Sequence, residues 1–389
     1  MLDQYGESYP ELNTLRGAAT YLCGIEEDHE LCGSDCQYRK ARLRAETEPT
    51  VYNPMSYIFG PVDANVVIVD EAHKLLDFLR LLINYKFSRT KYHPPAQPDS
   101  AWVRSQAKRY TEIACVYRDR KETKKASLNF QSAKRLSRIA DLLDSDPDSF
   151  VTYFKDGDWY VEPLNVPRDV IEKALGHADK VILMSATLPR SWAEKILGKR
   201  KYAYLDSPSP IPAENRKVVF APGQLKASSH PAEIAQWIKQ QLTRYEGNAI
   251  VHTTYSMGLS LAEYFPDALV HTKKTKLSTL REFKKRGGLW IAAGASEGID
   301  LAGDCARVNL IPVLPFANNK EPLGAALFER SSYQYYLETA IQFVQQCGRT
   351  TRGIEDWSVT VCGDNRLSWL LQKTAKDLPD SFRKAIIWS

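Results

Sequence analysis

The stretch VVIVDEAHKL, Val66–Leu75, decides how the chain reads. Its four consecutive β-branched apolar residues fit a strand buried on both faces, as parallel strands are in α/β proteins. The run then meets two adjacent carboxylates, Asp70 and Glu71, followed by Ala72 and His73. In open parallel sheets, ligands bind at the carboxyl ends of the strands. A carboxylate pair there suits phosphoryl transfer to water: one holds Mg²⁺, and its neighbour orients or deprotonates the attacking water. The plainer role for the same pair is an acidic cap on a helix starting near Ala72, where the helix dipole favours negative charge.

Reading outward, a second apolar strand, KVILMSATL (Lys180–Leu188), closes on the hydroxyls of Ser185 and Thr187. SPSPIPAENRK (Ser207–Lys217) has the proline-rich, polar composition of a linker. Beyond it, short apolar strands recur: KVVF (Lys217–Phe220), AIVHT (Ala249–Thr253), LWIAA (Leu289–Ala293), VNLIPVL (Val308–Leu314) and SVTVC (Ser358–Cys362). Helical stretches at Pro231–Tyr245, Met257–Tyr264 and Ser332–Gln346 separate several of them. This alternation predicts a parallel sheet with helices on both faces. EGID (Glu297–Asp300) follows LWIAA, with Gly298 permitting a tight turn near a ligand. QQCGRTTRG (Gln345–Gly353) sets Arg349 and Arg352 three apart, on one face if helical, a pairing suited to phosphate charge. Singly, each segment also fits a strand end, a turn or a solvated helix end; four in this order are hard to assign to chance.

Composition sets the bounds. The 389 residues suffice for two or three domains, and 43% hydrophobic with 25% charged residues describes a globular chain. The net charge of +5 permits a nucleic-acid partner without demanding one. No apolar run approaches the roughly 18 residues of a membrane span, and the polar, acidic start MLDQYGESYPELN is no secretory signal. Seven cysteines, three of them clustered, suggest a reducing cytoplasm and one local cysteine site rather than a disulfide framework.

With these segments in place, the chain resembles a superfamily 2 DNA helicase of the XPD/DinG type. DEAH resembles motif II and SAT motif III. GASEGIDLAGDCARVNLIPVLPF (Gly294–Phe316) resembles motif V and its continuation, QQCGRTTR motif VI, and GDNR (Gly363–Arg366) the Asp-x-Arg that follows. The resemblance implies two RecA-like domains of the P-loop NTPase type that bind ATP between them and translocate on single-stranded or forked DNA, 5′ to 3′. It implies Asp70 as the Mg²⁺ ligand, Glu71 as activator of water and His73 as coupler to the second domain. Ser185 and Thr187 would link hydrolysis to DNA contact. Glu297, Gly298 and Asp300 would contact nucleotide or its metal, and Gln345, Arg349 and Arg352 would reach the phosphates.

The pattern G-x-x-x-x-G-K-[ST] of a P-loop is absent from these residues; the nearest Gly-Lys, Gly198-Lys199, is followed by Arg200. The opening stretch resembles the part of the family that follows motif Ia, so the first RecA-like domain is expected to be truncated. A fragment or mis-started gene, a second polypeptide carrying the P-loop half (as in a phage genome), and a degenerate binding protein are the competing explanations. The expected organisation is residues 1–74 and 175–206 as the first RecA-like domain, with a cysteine segment at 14–45. A helical arch-like insertion at 75–174 and a second RecA-like domain at 207–389 complete it. Basic residues of the insertion (Arg118, Arg120, Lys121, Lys124, Lys125) suit phosphate tracking or a solvated helix face.

Cys23, Cys32 and Cys36 stand where the family inserts a four-cysteine [4Fe–4S] segment, one thiolate short of the usual set. His29 would complete a Cys₃His zinc site instead, and three reduced thiols in a relic loop are the plain case. The rival function is a non-catalytic subunit for single-stranded-DNA binding or assembly.

Overall fold

The computed structural model describes residues 12–15, 37–52, 57, 63–295 and 299–388, without the side chains of 222–224. The expectations at Cys23, His29, Cys32, Cys36, Glu297 and Gly298 lie outside the described residues. The chain divides into two compact units, Met1–Ala186 and Thr187–Ser389. No described helix is long and apolar enough to cross a membrane.

Among the described residues, the first unit holds three small sheets. β1 (Asn13–Leu15) and β2 (Thr50–Tyr52) pair in parallel, and helix Gln37–Ala45 buries Ala41 and Ala45 with Leu15 beside them. β3 (Ala64–Val69) is the strand that leads into DEAH. The insertion that follows contains β4 (Tyr85–Phe87), β5 (Phe150–Lys155) and β6 (Asp158–Pro163), antiparallel in the order β4–β6–β5. It also contains a pair of long helices, Ser100–Asp119 and Thr123–Ser145. The helical expectation for 75–174 is therefore incomplete. A two-residue turn at Asp156 (φ 55°) and Gly157 (φ 81°) closes β5 onto β6, the left-handed geometry that favours Asp-Gly in hairpins. Phe87 and Trp159 are buried at the centre of this insertion, with Trp102 packed edge-on to both. β7 (Ala178–Leu183) returns to pair with β3 in parallel, Val67 opposite Val181 and Ile68 opposite Ile182.

The second unit is built on one seven-stranded parallel sheet. Its strands are β8 (Arg216–Leu225), β9 (Ala249–Thr253), β10 (Leu269–Val270), β11 (Leu289–Ala293), β12 (Val308–Ile311), β13 (Ser358–Asp364) and β14 (Ile386–Trp388). They lie in the order β10–β11–β9–β12–β13–β8–β14. Successive residues point to opposite faces. Val219, Val251, Leu310 and Val361 thus pack with Ile234 and Ile238 of helix Pro231–Arg244, while Val218, Ile311 and Cys362 pack with Leu337, Ile341 and Phe343 of helix Ser332–Cys347.

Residues 187–206, expected with the first domain, divide with the second unit from Thr187 onward. Trp192 packs against its core. The buried carboxylate of Asp377 accepts from the Ser191 amide (3.1 Å), the Ser191 hydroxyl (2.9 Å) and the Tyr333 hydroxyl (2.6 Å). These bonds fasten the start of helix Arg190–Leu197 to the unit.

Candidate functional site

In the first unit, the chain leaves β3 through Asp70 and turns sharply at Glu71, whose φ of 50° is left-handed. For a residue with a side chain this conformation is costly and tends to mark functional turns. Glu71 occupies the position before the short 3₁₀ helix Ala72–Lys74 and makes no side-chain capping bond. The plain capping role is therefore not the one Glu71 fills here. Asp70, exposed, accepts from the Glu71 amide through Oδ1 at 2.8 Å. The Ala72 amide donates to the Met184 carbonyl (2.9 Å), which ties the DEAH turn to the end of β7.

Three expected site residues meet there. Nδ1 of the buried His73 lies 2.7 Å from Ser185 Oγ and 3.3 Å from Glu71 Oε2. A Glu–His–Ser arrangement joins the Glu71 carboxylate to the segment after β7. Asp70 offers a hard, exposed carboxylate oxygen, the donor Mg²⁺ takes together with water and substrate phosphates. Among the described residues no group of three or more His, Cys, Asp or Glu stands together to hold a metal. The cysteine segment outside them offers one thiolate fewer than a [4Fe–4S] cluster needs, so no chemistry is assigned to it.

In the second unit, three more expected residues form a chain. Gln345 Nε2 donates to Thr187 Oγ1 at 2.5 Å, and Arg349 NH2 donates to Gln345 Oε1 at 2.8 Å. Thr187 and Arg349 are both buried, and Arg349 NH1 also reaches the Ile299 carbonyl (3.4 Å). The hydroxyls of SAT thus serve different units: Ser185 the DEAH turn, Thr187 the Gln345–Arg349 pair.

One geometric expectation is corrected. Arg349 and Arg352 do not share a helix face, because helix Ser332–Cys347 stops at Gly348 and both arginines lie in the turn beyond it. The turn is fixed by Thr350, whose hydroxyl lies 2.7 Å from Ser358 Oγ in the core. As a result Arg349 is buried, while the Arg352 side chain is 45% exposed and pairs with Asp300 at 3.1 Å.

Residues outside the expected set support this site. Asn309 on β12 donates to the Gln346 carbonyl (2.9 Å) and to Thr360 (3.0 Å), gripping the last turn of the helix that precedes the arginines. His252 on β9 is buried, and its pKa is pushed down to about 3: burial dominates, contact with Asn309 opposes it, and the nearby charge of Arg349 adds to it. The imidazole beneath the arginine is therefore neutral. The Leu-Pro-Phe and Asp-x-Arg segments also meet. Fully buried Asp364 accepts from the Leu314 amide (3.0 Å) and from Arg366 (2.6 and 2.9 Å), whose guanidinium lies 4.4 Å over the Phe316 ring. Neither Asn309 nor His252 carries a sequence signal: each is a single polar residue inside an apolar strand.

Comparison with known proteins agrees with this architecture. Residues 238–385 match the model of a helicase C-terminal domain. No curated protein matches the chain. Among solved structures, an XPD helicase aligns with a TM-score of 0.56 at 14% identity, over 91% of this chain and 75% of that one. Xpd4 of S. tokodaii aligns with a TM-score of 0.56 at 16% identity, over 90% and 84%. An XPD in its apo form gives 0.53 at 13% identity, over 90% and 85%. At such identities the likeness is one of fold: two RecA-like units, the second bearing the matched domain. In fold and in the matched segment, the chain is similar to helicases of the XPD kind.

Proposed function

We propose that this chain is the motor body of an XPD/DinG-like helicase that couples ATP hydrolysis to 5′-to-3′ movement on single-stranded DNA and to unwinding of forked duplexes. The observation that carries the reading is that each unit holds one side-chain relay built from the motif-like segments, Glu71–His73–Ser185 in the first and Thr187–Gln345–Arg349 in the second. Glu71 orients the attacking water, and its left-handed turn sets the carboxylate beside His73. Asp70 holds Mg²⁺, which when bound neutralises phosphate charge. Arg349 and Arg352 stabilise the charge that builds on the transferred phosphoryl group. Asp300, and in the same segment Glu297 and Gly298, are assigned to nucleotide or its metal in this reading.

The phosphate cradle lies outside these residues in this proposal, upstream in the same protein or on a second polypeptide. Support lies in the sheet formed by β3 and β7. Val66 and Ile68 on β3, and Ile182 on β7 with Met184 just beyond it, share one face and are 46%, 59%, 46% and 46% exposed. Parallel strands of this composition are normally covered on both faces, and an exposed apolar face beside a catalytic carboxylate pair suits a P-loop-bearing partner.

The test is DNA-stimulated ATPase activity of the chain alone and mixed with the product of the upstream reading frame. Turnover only in the mixture is expected. No turnover in either case would favour the non-catalytic DNA-binding or assembly role.

A further inference from the structure

Asp356 lies in the turn before β13 and belongs to none of the segments read above as motifs. Its side chain is 11% exposed. Oδ1 accepts from Arg307 NH1 (2.7 Å) and the Trp357 amide (2.9 Å), Oδ2 accepts from the Arg352 amide (3.0 Å), and the Gly303 amide sits 3.2 Å from both oxygens. A carboxylate has about four lone-pair sites, so this one is saturated. Burial alone raises its pKa, but the donations from Gly303, Arg307 and Arg352 outweigh that and hold it below the usual carboxylate value.

The donors come from separate stretches. Gly303, with a left-handed φ of 64°, belongs to the turn after Asp300. Arg307 begins the approach to β12 and is itself fixed by Asp304 (3.0 Å), by the Trp357 carbonyl (2.5 Å) and by stacking on the Trp357 ring at 4.7 Å. Arg352 belongs to the turn after helix Ser332–Cys347. The Gly303 and Arg352 stretches are also joined near their starts by the Leu301 amide, which donates to the Arg349 carbonyl (3.1 Å), and further along by Asp300 with Arg352, side chains that are 59% and 45% exposed. A solvent-exposed pair of this kind contributes little and does not hold two flexible side chains in one geometry.

We infer that Asp356 is the positioning residue of this site: it locks the Gly303 turn to the Arg352 turn and thereby sets the Arg352 guanidinium opposite Asp300. That Arg352 then meets a nucleotide phosphate rests on the function proposed above; the positioning itself does not. The geometry separates the two arginines. Arg349 is held directly by the half-buried Gln345 side chain and the Ile299 carbonyl, whereas Arg352 reaches into solvent and takes its order from a carboxylate that touches only its backbone.

The test uses the full chain labelled with ¹⁵N-arginine and ¹⁵N-glycine, reading the Nε–H signal of each guanidinium and the exchange of the labelled backbone amides. Arg352→Lys assigns the Arg352 signal, and Arg366, clamped by Asp364, serves as the reference for an intact fold. The expected result is that Asp356→Asn and Asp300→Asn both move the Arg352 Nε–H signal to the position of a free guanidinium. Only Asp356→Asn should also speed exchange at the Gly303 and Arg352 amides, by roughly tenfold or more, with Arg366 unchanged in both variants. An Arg352 signal and amides unchanged in Asp356→Asn, with Arg366 intact, overturns the inference. If Asp356→Asn disturbs Arg366 as well, Asp356→Glu decides. It keeps a charge for Arg307 but displaces the carboxylate by one methylene, so the Arg352 signal must shift while Arg366 stays; an unmoved Arg352 signal overturns the inference.

Discussion

Strand β11, LWIAA, and strand β3, ANVVIV, are both short apolar strands of parallel sheets. Trp290 and Ile291 are buried between β9 and β10, whereas Val66 and Ile68 stand half in water. The residue types are alike and the surroundings are not. The seven-stranded sheet has helices packed on both faces, and its alternate residues enter separate cores. The β3–β7 sheet has two strands among the described residues, and one of its faces is exposed apolar surface. The contrast teaches that an apolar strand encodes the cover it requires and not which residues supply it. The Glu71–His73–Ser185 contacts nevertheless form beside this sheet, since they involve only the strand ends.

The largest expected effect falls on the complete side of this comparison. In the mixture with a P-loop polypeptide, Arg349→Lys should lower ATP turnover by on the order of a thousandfold, because an ammonium cannot reproduce a guanidinium fork; steady-state kinetics would read it. Next, Trp290→Ala removes a fully buried indole that also donates to His271 at 3.1 Å, and should destabilise the second unit by about 3–5 kcal/mol in urea unfolding.

A smaller effect comes from His252. Its folded-state pKa of about 3 lies below the ordinary 6.5, so the unfolded chain takes up the proton first. Its contribution is whole above about pH 6.5 and is lost as pH falls toward 3. Wild type should lose roughly 2 kcal/mol more than His252→Gln between pH 6.5 and 5, measured by urea midpoints at both values. The smallest effect belongs to the uncovered sheet. Ile68→Ala should change the stability of the chain alone by less than about 0.5 kcal/mol, while Ile68→Asp should weaken capture of the P-loop polypeptide in a pull-down. A core-like loss from Ile68→Ala would break the comparison.

Much of the fold is legible in the sequence. AIVHT and LWIAA coincide with β9 and β11, because an uninterrupted apolar run between turn residues has few alternatives. The hairpin at Asp156-Gly157 is equally legible, as Asp-Gly between the alternating runs FVTYFK and DWYVEP, yet the charged helices around it dominate the composition of that region. The left-handed turn at Glu71 is not, because a strained backbone at a residue with a side chain is held by tertiary contacts rather than local preference. Asp70, Glu71, Arg349 and Arg352 stand out as charges at strand or helix ends. Asp356 does not: one acidic residue in a polar turn looks like any other until Gly303 and Arg307, some 50 positions earlier, fold against it.

The central claim is that the carboxylate at the end of β3 performs hydrolysis once a phosphate cradle is supplied. The most direct measurement is DNA-stimulated ATP turnover by the chain mixed with its P-loop polypeptide, with wild type and Glu71→Gln side by side. The account predicts turnover in the wild-type mixture that falls by roughly a hundredfold or more in Glu71→Gln, with DNA binding retained. Equal turnover by the two proteins, or full turnover by the chain without any partner, would contradict it.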